Sequence, residues 1–241
     1  MPLVILLALD TCDARGSLAL LRDNDLLCSL AHEGTSDYSG WVLPTAEAAL
    51  RSSGLAMRDV EVCAVTPGPG SFTGVRIALT TVKAWSEAYG IAIASVSRLE
   101  ALASESANGT NFIAASFNAY RNQVYGGLFR TRDAGLQLVE EEMVAAPADF
   151  IRWVAQRAGG EKVSWISMDP ELLTSQEAWQ ARLQAGETLE RSTNILAPAI
   201  GRIGWQRALQ GRYTDVLALD AEYIRRPDAE VYWKGGPGRG S

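Results

Sequence analysis

Short apolar runs divided by polar turns open the chain. Leu3–Leu9 is unbroken and apolar, which fits a strand buried on both faces. After the polar loop Thr11–Gly16 come Ser17–Leu21 and Leu26–His32. The turn residues Asp23-Asn24-Asp25 between them predict a hairpin. The period then lengthens. Leu43, Ala46, Glu47 and Leu50 share a stripe of a helix expected over Tyr38–Ser53, stopped by Gly54, with Pro44 either in its first turn or at a kink. A strand over Val60–Thr66, a Gly/Pro-rich loop over Pro67–Gly74 and a helix over Val75–Tyr89 follow. Next come a strand over Ile91–Val96 and a helix over Leu99–Ala107, with Ser97 as N-cap and Glu100 completing a capping box.

The turn-rich Asn108-Gly109-Thr110-Asn111 marks a boundary, beyond which the strands restart. Strands are expected over Phe112–Phe117, Gln123–Phe129, Leu136–Val144 and Val163–Ser167, with helices over Pro147–Arg157 and Ile195–Gly211. Residues 170–192 are polar and give no clear period. The pattern predicts two related α/β lobes, residues 1–108 and 109–234, followed by a linker-like tail, 235–241.

Composition narrows the chemistry. The 241 residues carry a formal net charge of −6, which provides no global field to hold a polyanion. The cysteines, Cys12, Cys28 and Cys63, are odd in number and contain no C-x-x-C pair, so they read as reduced thiols of a cytoplasmic protein. The apolar opening meets Asp10 too early for a signal peptide and is far too short for a membrane span. His32 is the only histidine. A two-histidine metal helix is therefore impossible, and any Ser-His-Asp triad would have to use His32. Much of the common hydrolytic chemistry is thereby excluded.

The strongest local feature is Gly68-Pro69-Gly70-Ser71-Phe72-Thr73-Gly74 between a strand and a helix. Its glycines permit close approach of another surface, and the following helix N-terminus could receive an anion. It lacks the lysine of a P-loop, and its spacing misses the dinucleotide fingerprint by one residue. Asp10-Thr11 ends the first strand. An acid and a hydroxyl there could hold Mg²⁺ and a phosphate in a two-lobed phosphotransferase, or simply cap loop amides. Weak nucleotide-site candidates are thus Asp10, Thr11, Gly68, Gly70, Ser71, Thr73 and Gly74. Near the C-terminus, Tyr223, Tyr232 and Trp233 lie among Arg225, Arg226 and Lys234, a set that fits packing or a partner contact better than base stacking in an acidic chain.

Several of these segments together resemble the TsaB (YeaZ) family of bacterial tRNA threonylcarbamoyladenosine biosynthesis. They are Ile5–Thr11, Leu43-Pro44, Pro67–Ile77 (PGPGSFTGVRI), Ser95–Ala103, Gln123-Val124-Tyr125 and Ala221–Arg225. The resemblance spans nearly the whole chain and is weakest over residues 170–192. It implies a two-lobed actin-like (ASKHA, ribonuclease H-like) α/β fold. It also implies a non-catalytic scaffold, with no metal or cofactor of its own, that binds and activates the paralogue TsaD, which threonylcarbamoylates the tRNA adenosine next to the anticodon. The ATPase TsaE completes that assembly, tRNA is met indirectly through the complex, and a homodimer forms in the absence of TsaD. An actin-like phosphotransferase or nucleotide hydrolase is the alternative. The family's older peptidase label (M22, glycoprotease-like) conflicts with the histidine count, because TsaD holds its metal with a histidine pair that this chain lacks.

The resemblance further implies that the first two helices pack against matching helices of TsaD. On this sequence it points to Trp41, Ala46, Ala49, Ala78, Val82 and Trp85 as interface residues, with Ala84 a further small residue. The helical spacing equally permits these alanines to face the lobe's own sheet. Two departures stand out: Tyr38-Ser39 where relatives carry His-Ser, and Asn118 and Gln123 where relatives carry acids.

Overall fold

The computed structural model describes residues 3–32, 38–107, 109–133, 135–222 and 224. Two mixed sheets organise them. The first has the order β3-β2-β1-β4-β5, from β1 (Ile5–Asp10), β2 (Ser17–Arg22), β3 (Asp25–Ala31), β4 (Val62–Val65) and β5 (Ala92–Ser95). β1, β2 and β3 pair antiparallel, whereas β4 and β5 continue parallel from β1. Alternation along β1 sends Ile5, Leu7 and Leu9 to one face and Leu6 and Ala8 to the other, and both faces are covered.

Helices α1 (Tyr38–Ser52) and α2 (Phe72–Tyr89) cover the outer face. Pro44 lies inside α1, neither in its first turn nor at its end. It has no N–H to offer the Gly40 carbonyl, and both residues sit on the exposed side. α2 starts three residues earlier than its apolar period suggests. Ser71 is the true N-cap, its hydroxyl accepting from the Gly74 amide at 3.4 Å, so Phe72–Gly74 form the first turn.

The second sheet has the order β11-β10-β6-β7-β8, with β9 paired to β7. Its strands are β6 (Phe112–Asn118), β7 (Val124–Arg132), β8 (Gly135–Leu138), β9 (Met143–Ala145), β10 (Val163–Ser167) and β11 (Thr188–Arg191). The single strand expected over Leu136–Val144 is two. β8 pairs with the end of β7 and β9 with its start, and the acidic Glu140-Glu141-Glu142 lies between them. The polar stretch 170–192 holds α5 (Glu171–Thr174), α6 (Glu177–Gln184) and β11. Trp179 anchors it, edge-on to Trp165, whose indole N–H donates to Glu187 at 2.7 Å. α4 (Pro147–Ala158) and α6 cover the outer face of this sheet.

Between the sheets lie α3 (Arg98–Ala103) and α7 (Ala197–Leu209). α7 lies on the first sheet, α3 on the second, and the two helices pack on each other. One apolar cluster runs through them, from Leu6 and Leu21 through Leu99 and Leu102 to Phe117 and Phe129. Ser97 caps α3, accepting from the amides of Leu99 and Glu100. The tail 235–241 and the Tyr232-Trp233 set lie outside the described residues.

Candidate functional site

The carboxyl-terminal end of β1 is where the fold gathers polar groups. Asp10, Thr11 and Thr66 are fully buried there. The Asp10 carboxylate accepts the Cys12 amide through Oδ1 at 2.9 Å, and its Oδ2 faces Arg98 Nε at 3.3 Å. Arg98, the first residue of α3, is itself buried. Its Nη2 reaches Asp13 at 3.2 Å, and its guanidinium lies over the Phe117 ring at 4.6 Å. Its backbone amide donates to the Gly68 carbonyl at 2.9 Å. Burial by itself lowers the proton affinity of Arg98, and the facing Asp10 and Asp13 carboxylates more than reverse that.

Tyr38 extends this network from α1. Its hydroxyl donates to the Asp13 carbonyl, and its ring packs beside His32 and Trp41. Burial pushes the Tyr38 pKa up to about 12, so the phenol stays protonated as a donor. Burial and the nearby Asp10 likewise push the Cys12 thiol up, leaving it inert.

The glycine loop closes onto the same strand end. Thr11 Oγ1 donates to the Gly74 carbonyl at 2.6 Å, and the Ser71 amide donates to the Cys12 carbonyl at 2.7 Å. A Cβ on Gly74 would sit 1.9 Å from the Thr11 carbonyl oxygen, and one on Gly70 would sit 2.4 Å from the Cys12 carbonyl oxygen. Only glycine allows the backbone this close. Gly68 abuts the Glu222 carbonyl, and Thr73 is exposed. The structure thus brings Asp10, Thr11, Gly70, Ser71 and Gly74 together. It fills the space between them with the chain's own groups: an arginine on the acid, and a backbone loop on the glycines.

Arg98 and Asp13 are the residues that sequence reasoning missed. Their neighbourhood is non-local, since Arg98 is 88 positions from Asp10. The one available signal is an arginine directly after a helix-capping serine in an otherwise apolar segment.

Of the residues expected on the α1–α2 outer surface, Ala46, Ala49, Ala78 and Val82 are buried against the first sheet, and Trp85 is 7% exposed. Trp41 is half-buried among Tyr38 and His32. The outward face instead carries Leu43, Ala48, Ala84, Ala88 and Tyr89. A groove of about 460 Å³ runs between the two helices, lined by Leu43, Glu47, Trp85 and Tyr89 among others. Asn118 shapes the β6–β7 turn. Its amide donates to Asp169 at 2.9 Å and its Oδ1 accepts from the Tyr120 amide at 2.7 Å. Tyr120, Arg121 and Asn122 that follow all hold left-handed φ values, between 55° and 59°.

Among the described residues no cluster of His, Cys, Asp and Glu could hold a metal ion, and no helix is long and apolar enough to cross a membrane. Residues 33–179 match the family model described as TsaD, tRNA N6-adenosine threonylcarbamoyltransferase. The tRNA threonylcarbamoyladenosine biosynthesis protein TsaB of Bacillus subtilis is 30% identical over 95% of this chain and 97% of its own length. The Escherichia coli protein of the same name is 26% identical over 97% of this chain and 99% of its own. Among solved structures, YeaZ from Pseudomonas aeruginosa superposes with a TM-score of 0.74 at 25% identity, over 91% of this chain and 99% of that one. A dehydratase component A from Acidaminococcus fermentans superposes at 0.50 and 9% identity, which extends the likeness to the wider actin-like α/β fold. The agreement in length, the PGPGSFTGVRI segment packed onto β1, and the two-sheet architecture point the same way: this chain belongs to the TsaB (YeaZ) family.

Proposed function

We propose that this chain is a non-catalytic subunit of the machinery that makes threonylcarbamoyladenosine in tRNA, and that it binds and activates a TsaD-type paralogue. The observation that carries this reading is the ion pair between Asp10 and Arg98. A phosphotransferase of this fold would present that carboxylate to a metal–phosphate complex and leave room above its glycine loop. Here Arg98 neutralises the acid, and the loop is pressed onto Thr11 and Cys12. The names of the curated relatives and the TsaD-type family model support placement in that pathway. The peptidase reading gains nothing from Ser71, whose hydroxyl caps α2 by accepting from Gly74.

The exposed face of α1 and α2 is the proposed TsaD-binding surface. Small residues Ala48, Ala84 and Ala88 let another helix come close, and Leu43 and Tyr89 supply apolar area. The same surface, facing a second copy, accounts for a homodimer in the absence of TsaD. A TsaE-type ATPase and tRNA then join through the TsaD-containing complex, in the cytoplasm.

Co-expression with the TsaD of the same organism, size-exclusion chromatography and a tRNA modification assay test this. The expected result is a stable complex that modifies tRNA, with no modification by this chain alone. Ala84→Arg should abolish the complex while leaving the melting temperature of the free chain unchanged. Turnover by the isolated chain, or an intact complex with Ala84→Arg, would defeat the respective halves of the proposal.

A further inference from the structure

We propose that the cavity between α3, α7 and the β7–β8 hairpin binds a small phosphorylated anion. It lies apart from the α1–α2 face and from the glycine loop, encloses about 550 Å³, and falls within the size range of small-molecule sites. Four arginines line it: Arg132 at the end of β7, Arg202 and Arg207 on α7, and Arg212 just beyond that helix.

Their partners decide how much charge remains. Arg207 is committed, because its Nη2 donates to both Glu100 oxygens at 2.9 and 2.6 Å and its Nη1 donates to the Ser95 carbonyl. The cavity's other acid, Glu105, accepts from the Ser192 hydroxyl. Burial pushes its pKa up, with that hydroxyl and the charge of Arg202 acting against the shift. Among the described residues, no carboxylate lies within ion-pair distance of Arg132, Arg202 or Arg212. Arg132 donates to the Gln137 side chain and Arg212 to that of Gln210, each at 3.2 Å. Among the described residues, three guanidinium groups without a direct ion pair therefore line one concavity of a chain whose net charge is −6, with Glu105 acting on Arg202 only through space.

A phosphate ester matches them in both charge and shape. Its tetrahedral oxygens accept from several planar forks at once, which a single carboxylate does not. Ile113, Leu136 and Ile203 in the lining offer an apolar wall for a compact organic body. A nucleic-acid backbone fits less well, since its charge would need a basic track running beyond the cavity. The neighbourhood is acidic instead. Glu190 accepts from Ser106 and the Ala107 amide, and Glu161 accepts from Asn111 at 2.8 Å. Arg202 comes from a helix on the first sheet and Arg132 from the second sheet, so the bound anion would bridge the two.

Titration calorimetry of the full chain with pyrophosphate and with AMP at low salt tests this. Binding of at least one probe is expected. It should weaken about tenfold or more, a change of about 1.4 kcal/mol per factor of ten, in the double variant Arg132→Gln with Arg212→Gln. Both side chains are at the surface, and an unchanged melting temperature would confirm that the variant folds. Ser71→Ala, in the glycine loop, should bind like the parent. Absence of binding by both probes, undiminished binding in the double variant, or loss of binding in Ser71→Ala would overturn the assignment. A short single-stranded RNA binding where neither small probe does would overturn it as well.

Discussion

The hydroxyl of Ser97 donates to the carboxyl group of Glu142, joining the cap of α3 to the β8–β9 connection. Glu142 lies in a crowd of acids. Burial foremost, then Glu222 and Glu100, raise its pKa to about 7, against the opposing hydrogen bond from Ser97.

This raised pKa sets a pH dependence. The folded chain holds the Glu142 proton up to about pH 7, whereas the unfolded chain releases it near the ordinary value of 4.5. The stabilisation is therefore fully present below about pH 4.5 and is lost as pH rises through 7. Glu222 and Glu105, which also have raised values, act in the same direction. Urea denaturation from pH 4.5 to 8 should show stability contributed by this group falling with pH, and Glu142→Gln should reduce the slope. An identical slope in the variant would remove Glu142 as its source.

Arg98→Met should leave Asp10 buried without its cation. Breaking a buried pair from one side costs about 3–5 kcal/mol, against a typical total stability of about 5–15 kcal/mol. Adding Asp10→Asn to Arg98→Met should recover part of the loss, because the stranded charge is then gone. A double-mutant cycle in urea reads the coupling directly. Strict additivity of the two substitutions would contradict it.

Much of this architecture was legible in the residues, and the exceptions share a cause. The strand over Val163–Ser167 and the cap at Ser97 follow from local pattern, which one segment carries by itself. So does the αL stop at Gly90. Residues 170–192 defeat that reading because their fold depends on distant partners: Trp179 needs Trp165, and β11 needs β10. The site divides the same way. Asp10 and the glycine loop announce themselves, but nothing local says that Arg98 will occupy the acid. Nor does helical spacing reveal which way Ala46 and Ala78 turn, since in each helix small residues lie on both faces.

Ala78→Arg and Ala84→Arg should therefore part company. Ala78 is fully buried against the first sheet, so an arginine there has no room and no partner and should unfold the chain. Ala84 points outward on the same helix and should tolerate the change with a stability loss of less than about 0.5 kcal/mol. Thermal melts of the two purified variants distinguish them at once.

Gly74→Ala tests the closure of the loop. Its new methyl would meet the Thr11 carbonyl at 1.9 Å, and the backbone must move to relieve that. A loss of about 1–3 kcal/mol is expected, as for other overpacked sites. Wild-type stability in this variant would mean that the loop can lift away from β1.

The layer shared by α3 and α7 has a mechanical consequence. Clamshell enzymes open and shut by swinging their halves about a pivot, which requires a dry seam that can part. Here the seam is filled by Leu99, Leu102, Leu196 and Ile200, all in one continuous apolar cluster with both sheets. Opening it would wet those side chains at each stroke, so burial of this layer opposes a swing of one sheet against the other.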